Sequence, residues 1–289
     1  MSDTHVPSRV FPRARQDAET AKTGISTPQT QNPAYRLAFQ DMDFLLREDL
    51  RPVRFQLELL KPQLVLEEAN IASTFVFYGS ARIPEPAKAQ AMLDLAQGEE
   101  AIAIARSLVV KSRYYDEAYK LAQLTSGFPL DEAGKRHFVV CSGGGPSIME
   151  AANRGAAESG HESIGLNIVL PHEQAPNPYV TPALSMQFHY FALRKMHFLL
   201  HARALAAFPG GFGTFDELFE LLTLIQTGKI KPIPVLLFGR DFWNRVVNFE
   251  ALVEEGVISA SDLDIFRFVE TAEEAWDIVK EFYRDDSAD

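Results

Sequence analysis

The stretch Pro209-Gly210-Gly211-Phe212-Gly213-Thr214-Phe215-Asp216-Glu217 constrains the fold of this chain more than any other. An apolar run at 204–208 leads into it, and Leu218, Leu221, Leu222 and Ile225 leave it at helical spacing. A buried strand therefore ends in a glycine loop that opens a helix. Such a loop brings bare backbone N–H groups to a helix N-terminus, which suits a phosphate. Glu217 adds a carboxylate beside that anion site, a pairing that points to nucleotide chemistry.

Apolar runs and amphipathic segments alternate around this motif. Strands are predicted at Thr74–Tyr78, 137–141, 163–170, 204–208, 233–238 and 266–269. Helices are predicted at 87–126 with a break near 112–115, from 146 to about 159, at 188–202, from the opening motif to 227, and at 241–255 and 272–283. This alternation implies an α/β fold, Rossmann-like and doubly wound, with a mainly parallel sheet and helices on both faces. Residues 1–34 are polar, carry Pro7, Pro12, Pro28 and Pro33, and read as a disordered tail. Residues 35–70 read as a helical extension interrupted at Pro52 and Pro62, and 71–289 as the Rossmann-like nucleotide-binding domain.

A second glycine turn, Gly143-Gly144-Gly145-Pro146, follows the strand at 137–141. Pro146 suits a first helical position. Neither turn completes G-x-G-x-x-G, and G-x-x-x-x-G-K-[ST] is absent, so the dinucleotide and P-loop fingerprints are excluded. Each turn has two readings: tight packing of helix on strand, or a cradle for phosphate. Glu217 likewise has two. Thr214-x-x-Glu217 is a capping-box pattern, repeated at Ser147-x-x-Glu150. On a helical wheel, however, Asp216 and Glu220 point to solvent while Glu217 flanks the apolar stripe, where it can face a cleft. Arg194 and Lys195 lie in a segment apolar nearly all round and require an anion, supplied by a protein carboxylate or by a ligand. His197 and His201 are four apart but lack a third ligand, so no metal site is expected.

The net charge of −11 and pI near 5.2 argue against a surface that coats nucleic acid. The single cysteine, Cys141, allows no intrachain disulfide and fits a reducing cytoplasm. No run of about 20 apolar residues suggests a membrane partner. The apolar character of the 188–202 segment leads us to expect a homodimer or higher oligomer.

Gly143-Gly144-Gly145-Pro146-x-x-Met149-Glu150-Ala151-Ala152-Asn153, Arg194-Lys195 and Pro209-Gly210-Gly211-x-Gly213-Thr214-x-x-Glu217 together resemble the LOG (LONELY GUY) family. Its members are cytokinin riboside 5′-monophosphate phosphoribohydrolases and nucleotide 5′-monophosphate nucleosidases, many formerly labelled lysine decarboxylases. The resemblance runs from about residue 74 to 238; the N-terminal extension and the 85–128 segment resemble the longer bacterial members. It implies a purine nucleoside 5′-monophosphate substrate, such as AMP or a cytokinin riboside monophosphate, hydrolysed to free base and ribose 5-phosphate without a cofactor. Arg194 and Glu217 map onto the catalytic pair. Gly210, Gly211, Gly213 and Thr214 map onto the phosphate loop, preceded by Pro209. Ser142, Gly143, Gly144, Gly145, Met149 and Lys195 map onto the remaining substrate-binding positions. One rival is a non-catalytic nucleotide- or molybdenum-cofactor-binding protein, disfavoured by the presence of both Arg194 and Glu217. The other is lysine decarboxylation, for which no lysine sits in a recognisable Schiff-base context.

Overall fold

A computed structural model of the chain describes residues 11–22, 24–171 and 175–285. Two compact units are present, residues 1–58 and 59–289. The first contains helices α1 (Ala14–Lys22), α2 (Pro28–Gln31) and α3 (Met42–Leu45), with short 3₁₀ turns between α2 and α3 and after α3. The segment expected to be an irregular tail thus contains a nine-residue helix, ARQDAETAK, which is rich in good helix formers. The expectation for residues 1–10 lies outside the described residues. Helix α4 (Arg51–Glu68) runs through both of its prolines. Pro52 sits in the first turn, where no intrahelical donor is lost, and Pro62 does not end the helix as expected.

Among the described residues, the second unit is built on seven strands: β1 (Thr74–Tyr78), β2 (Val139–Ser142), β3 (Ile164–Ile168), β4 (Ser185–Phe188), β5 (Ala202–Ala207), β6 (Val235–Phe238) and β7 (Phe266–Val269). All pair in parallel, in the order β4-β3-β2-β1-β5-β6-β7. The helices are α5 (Pro86–Leu95), α6 (Glu99–Lys111), α7 (Arg113–Ser126), α8 (Ile148–Glu158), α9 (Phe191–Leu200), α10 (Phe212–Gln226), α11 (Arg240–Val246), α12 (Phe249–Glu254) and α13 (Ala272–Asp285).

Side chains alternate across this sheet as a pleat demands. Val76, Tyr78, Val139, Cys141, Leu205, Val235 and Leu237 face one core with Phe198 of α9 and Leu218, Leu221 and Ile225 of α10. Phe75, Phe77, Val140, Ala204, Ala206, Leu236 and Phe238 face the other, packed by α7, α8 and α13. Because both faces are covered, the central strands β1 and β6 are buried at every position rather than alternating. The expected doubly wound, Rossmann-like α/β sheet is therefore present.

Several local expectations are corrected. Strand β4 was not anticipated, and α9 is shorter than the predicted 188–202 helix. Residues 87–126 form three helices, because the chain turns extended at Ala96 and takes a positive φ at Gly98. The helix predicted at 241–255 is two, since Asn248 accepts from the Ala251 N–H at 3.1 Å and caps a new one. Pro146 precedes α8 rather than opening it.

Strand order reverses between β1 and β5. Tyr78 pairs with Ala207, so the loops after these two strands leave the sheet at the same level. In an open parallel sheet, a crevice forms at this point, outside the carboxyl ends of the strands.

Candidate active site

The crevice is a cleft of about 830 Å³. Its lining comes from the loop after β1 (Tyr78 to Arg82), the β2 turn (Gly143, Met149), α9 (Phe191, Arg194, Phe198), the start of α10 (Gly211 to Glu217) and Val246 of α11. The loops are tied together by backbone. Ser80 N–H donates to the Pro209 carbonyl at 3.1 Å. Ser147, held at a positive φ of 64°, donates from Oγ to the Ala81 carbonyl at 3.0 Å. Such a φ is uncommon for serine and is sustained here by that bond.

Helix α10 begins at Phe212 with Gly211 as its N-cap, and no side chain caps it. Its first turn contains no acidic residue. The first N–H groups of a helix have no partner within the helix, and its N-terminus carries partial positive charge. Here both open onto the cleft. A Cβ built on Gly211 or on Gly213 meets nothing within 4 Å, whereas one on Gly210 collides with the Thr214 hydroxyl. Gly210 is thus required for packing, while Gly211 and Gly213 keep space clear above the helix end.

This start point removes both capping-box readings. Thr214 is the third residue of α10 rather than its cap, so Glu217 lies almost a full turn further in. Ser147 caps nothing with its side chain. Glu217 instead lines the cleft while only 9% exposed. Burial pushes its carboxyl up to about 7, against the opposing pull of Arg194 and then Lys195. A carboxyl in this state is partly protonated and partly ionised near neutral pH.

Arg194 reaches the cleft from α9. Its Nε donates to the Leu166 carbonyl at 2.7 Å, and its guanidinium stacks over the Phe198 ring at 5.3 Å. A Cβ on Gly143 would lie 2.6 Å from Arg194 Nη2 and 2.9 Å from Met149 Sδ. The β2 turn is therefore the bed on which Arg194 rests. That turn is itself fixed from below. Ser142 Oγ donates to Asn153 Oδ1 at 2.7 Å and accepts from the Gly144 N–H at 3.0 Å. Asn177 Nδ2 donates to Asn153 Oδ1 and to the Gly145 carbonyl. Ser142 and Asn153 are fully buried, and each bond satisfies a polar group that water does not reach.

Of the residues anticipated from sequence, the cleft brings together Arg194, Glu217, Gly143, Met149, Gly211, Gly213 and Thr214. Ser142, Gly144, Gly145, Pro209 and Gly210 stand behind it and shape the two turns. Lys195 is directed elsewhere: its Nζ pairs with Asp216 at 2.7 Å and Glu220 at 3.1 Å. Those two carboxylates, expected to point only to solvent, are the anions Lys195 requires. Tyr78, Ser80, Arg82, Phe191, Phe198 and Val246 were not anticipated. The only sequence signal for the first three was the Gly79-Ser80 stop after β1, which acquires meaning once β1 is known to border β5.

Residues 149–279 match a protein-family profile described as "Possible lysine decarboxylase". Decarboxylation of that kind needs a lysine to hold pyridoxal phosphate, and among the described residues no lysine lines the cleft. The chain is 30% identical over 168 residues to the cytokinin riboside 5′-monophosphate phosphoribohydrolase LOG3 of Arabidopsis thaliana, covering 57% of this chain and 73% of that protein. It is 32% identical over 120 residues to the pyrimidine/purine nucleotide 5′-monophosphate nucleosidase of Escherichia coli K12, covering 38% of this chain and 26% of that one. A solved structure of a Moco carrier protein from Chlamydomonas reinhardtii aligns over 74% of this chain and 99% of its own, at 17% identity and a TM-score of 0.42, too distant to bear on function. The extent of the match to the plant phosphoribohydrolase, with the three glycine, arginine and glutamate motifs in place, establishes that this chain belongs to the LOG family.

Proposed function

We propose that this chain hydrolyses the N-glycosidic bond of a purine nucleoside 5′-monophosphate, such as AMP or a cytokinin riboside monophosphate, to free base and ribose 5-phosphate. The observation that carries this reading is the placement of the buried Glu217 carboxyl one helical turn inside an uncapped helix N-terminus that opens onto the same cleft. The 5′-phosphate binds the N–H groups of the first turn of α10 in the space kept by Gly211 and Gly213. A dianion there gains charge-assisted hydrogen bonds that a nucleoside does not make.

The sugar then lies over Glu217. As the bond from C1′ to the base nitrogen breaks, positive charge builds on the ribose, and the ionised carboxylate stabilises it. Glu217 also takes a proton from the attacking water, whose oxygen bonds to C1′; the departing base nitrogen takes a proton from solvent, and Glu217 returns its own to solvent to close the cycle. Arg194, held by Leu166 and Phe198, steadies the negative charge of the substrate and favours the ionised form of Glu217.

Helix α9 presents Phe191, Met196 and Leu200 to solvent, each more than 40% exposed. Apolar exposure of this kind supports a homodimer whose contact runs beside the cleft. Among the described residues, no helix is long and apolar enough to cross a membrane.

Base release from a panel of nucleosides and their mono-, di- and triphosphates tests the reading. Monophosphates are expected to be cleaved at least about 100-fold more efficiently than nucleosides. Equal efficiency on adenosine and AMP refutes the assigned use of the α10 N-terminus.

A further inference from the structure

Tyr78 ends β1 at the switch point of the sheet. Its ring packs edge-on against Phe198 at 5.1 Å, within the apolar core. The residue is only 5% exposed, yet it lines the cleft. Its hydroxyl has no hydrogen-bond partner among the described residues. A buried hydroxyl without a partner carries its full desolvation cost, and phenylalanine would fill the same core position without it. A cleft-lining residue whose buried polar atom the protein leaves unpaired offers that atom to a ligand.

The ligand group it meets follows from its neighbours. Tyr78 and Arg194 both pack on the Phe198 ring, at 5.1 and 5.3 Å, and Glu217 lines the same cleft. The inference rests on the proposed reaction, in which Glu217 acts at C1′ of the sugar. The 5′-phosphate is at the other end of the sugar, on the α10 N-terminus. The hydroxyl on the carbon next to C1′ is the 2′-hydroxyl. We propose that the Tyr78 hydroxyl hydrogen-bonds the ribose 2′-hydroxyl, so that the site recognises ribonucleotides and discriminates against 2′-deoxyribonucleotides. Burial holds the phenol well above its ordinary pKa, so it remains a donor at every working pH. Bonds to this sugar hydroxyl also strengthen as charge develops on the ring. A site built to pair a substrate hydroxyl rejects the analogue that lacks it, because its own polar group is then left buried and alone.

The test compares AMP with 2′-deoxy-AMP in the wild type and in Tyr78→Phe. Deoxynucleotides shed their base more readily by themselves, so the informative quantity is the change in the ratio of the two kcat/KM values. That ratio is expected to fall by about 10- to 100-fold in Tyr78→Phe, with the melting temperature unchanged or raised. An unchanged ratio overturns the assignment, as does a lowered melting temperature with both substrates losing activity equally. Calorimetry with ribose 5-phosphate and 2-deoxyribose 5-phosphate supplies a readout independent of turnover. Tyr78→Phe should weaken binding of the first and leave the second unaltered; equal effects on both refute the contact. A wild type that releases no base from any nucleotide removes the proposed reaction, and the calorimetric comparison alone then decides the role of Tyr78.

Discussion

The two glycine turns look alike in sequence and are built for opposite purposes. After β2, each glycine is pressed by a side chain: Gly143 by Arg194 and Met149, Gly144 by Asn167, Gly145 by Met149. Gly144 also takes a φ of +72°, which side-chain-bearing residues rarely adopt. After β5, only Gly210 is packed, while Gly211 and Gly213 border open space. The first turn is a scaffold that seats Arg194. The second leaves the start of α10 uncapped with open space above it, which suits the receptor role proposed for it, and Glu217 follows further along the same helix. Glycine marks both because it permits close approach: by the protein's own atoms in the first turn, and, in the proposed reading, by a ligand in the second.

That difference is best tested from the receptor side first. Glu217 is a carboxyl whose pKa rises from 4.5 to about 7 on folding. Its protonated form favours the folded state, a contribution present below the unfolded value and lost as pH rises through about 7. Glu217→Gln, which never ionises, should therefore match the wild type near pH 4.5. It should exceed the wild type by up to about 3 kcal/mol at pH 8. Chemical denaturation across that range measures it, and a constant difference would show that Glu217 is not strained by burial.

Arg194→Ala probes the link between the two turns. Activity is expected to fall about 100-fold, or about 2.7 kcal/mol, with a much smaller loss of stability. A severe drop in melting temperature with normal turnover of the folded protein would make Arg194 a structural cation instead. Gly144→Ala should cost about 2 kcal/mol of stability, through its positive φ and its collision with Asn167. The smallest effect belongs to Gly213→Ala, where helix propensity should add up to about 1 kcal/mol of stability. The new methyl group enters the cleft, so KM for a monophosphate should rise about 10-fold. If Gly213→Ala instead destabilises while Gly144→Ala is tolerated, the assigned roles of the turns are reversed.

The sequence carried the sheet well where strands are buried on both faces. Thr74–Tyr78 is an uninterrupted apolar or β-branched run, and its ends coincide with the strand observed. It did not carry β4, whose four residues include an exposed Gln187 and run straight into the aromatic start of α9. Capping patterns misled for a definable reason. Thr214-x-x-Glu217 has the right spacing, but the glycine loop lets the helix start at Phe212, three residues earlier than a Thr214 cap would allow. Arg194, Glu217 and the turns stand out in the sequence because they are compressed into short motifs, and the fold gathers them at one cleft. Tyr78 was not, since a tyrosine at the end of an apolar strand looks like core. Only the β1–β5 adjacency places the residue beside the cleft.

The most direct trial of the central claim is incubation of wild type and Glu217→Gln with AMP, followed by chromatography for adenine and ribose 5-phosphate. Wild type should yield the two in equal amounts. Glu217→Gln should remain folded, still bind ribose 5-phosphate, and release adenine at least about 100-fold more slowly. Adenine release at the wild-type rate by Glu217→Gln, or none from the wild type with any purine monophosphate, would contradict the account.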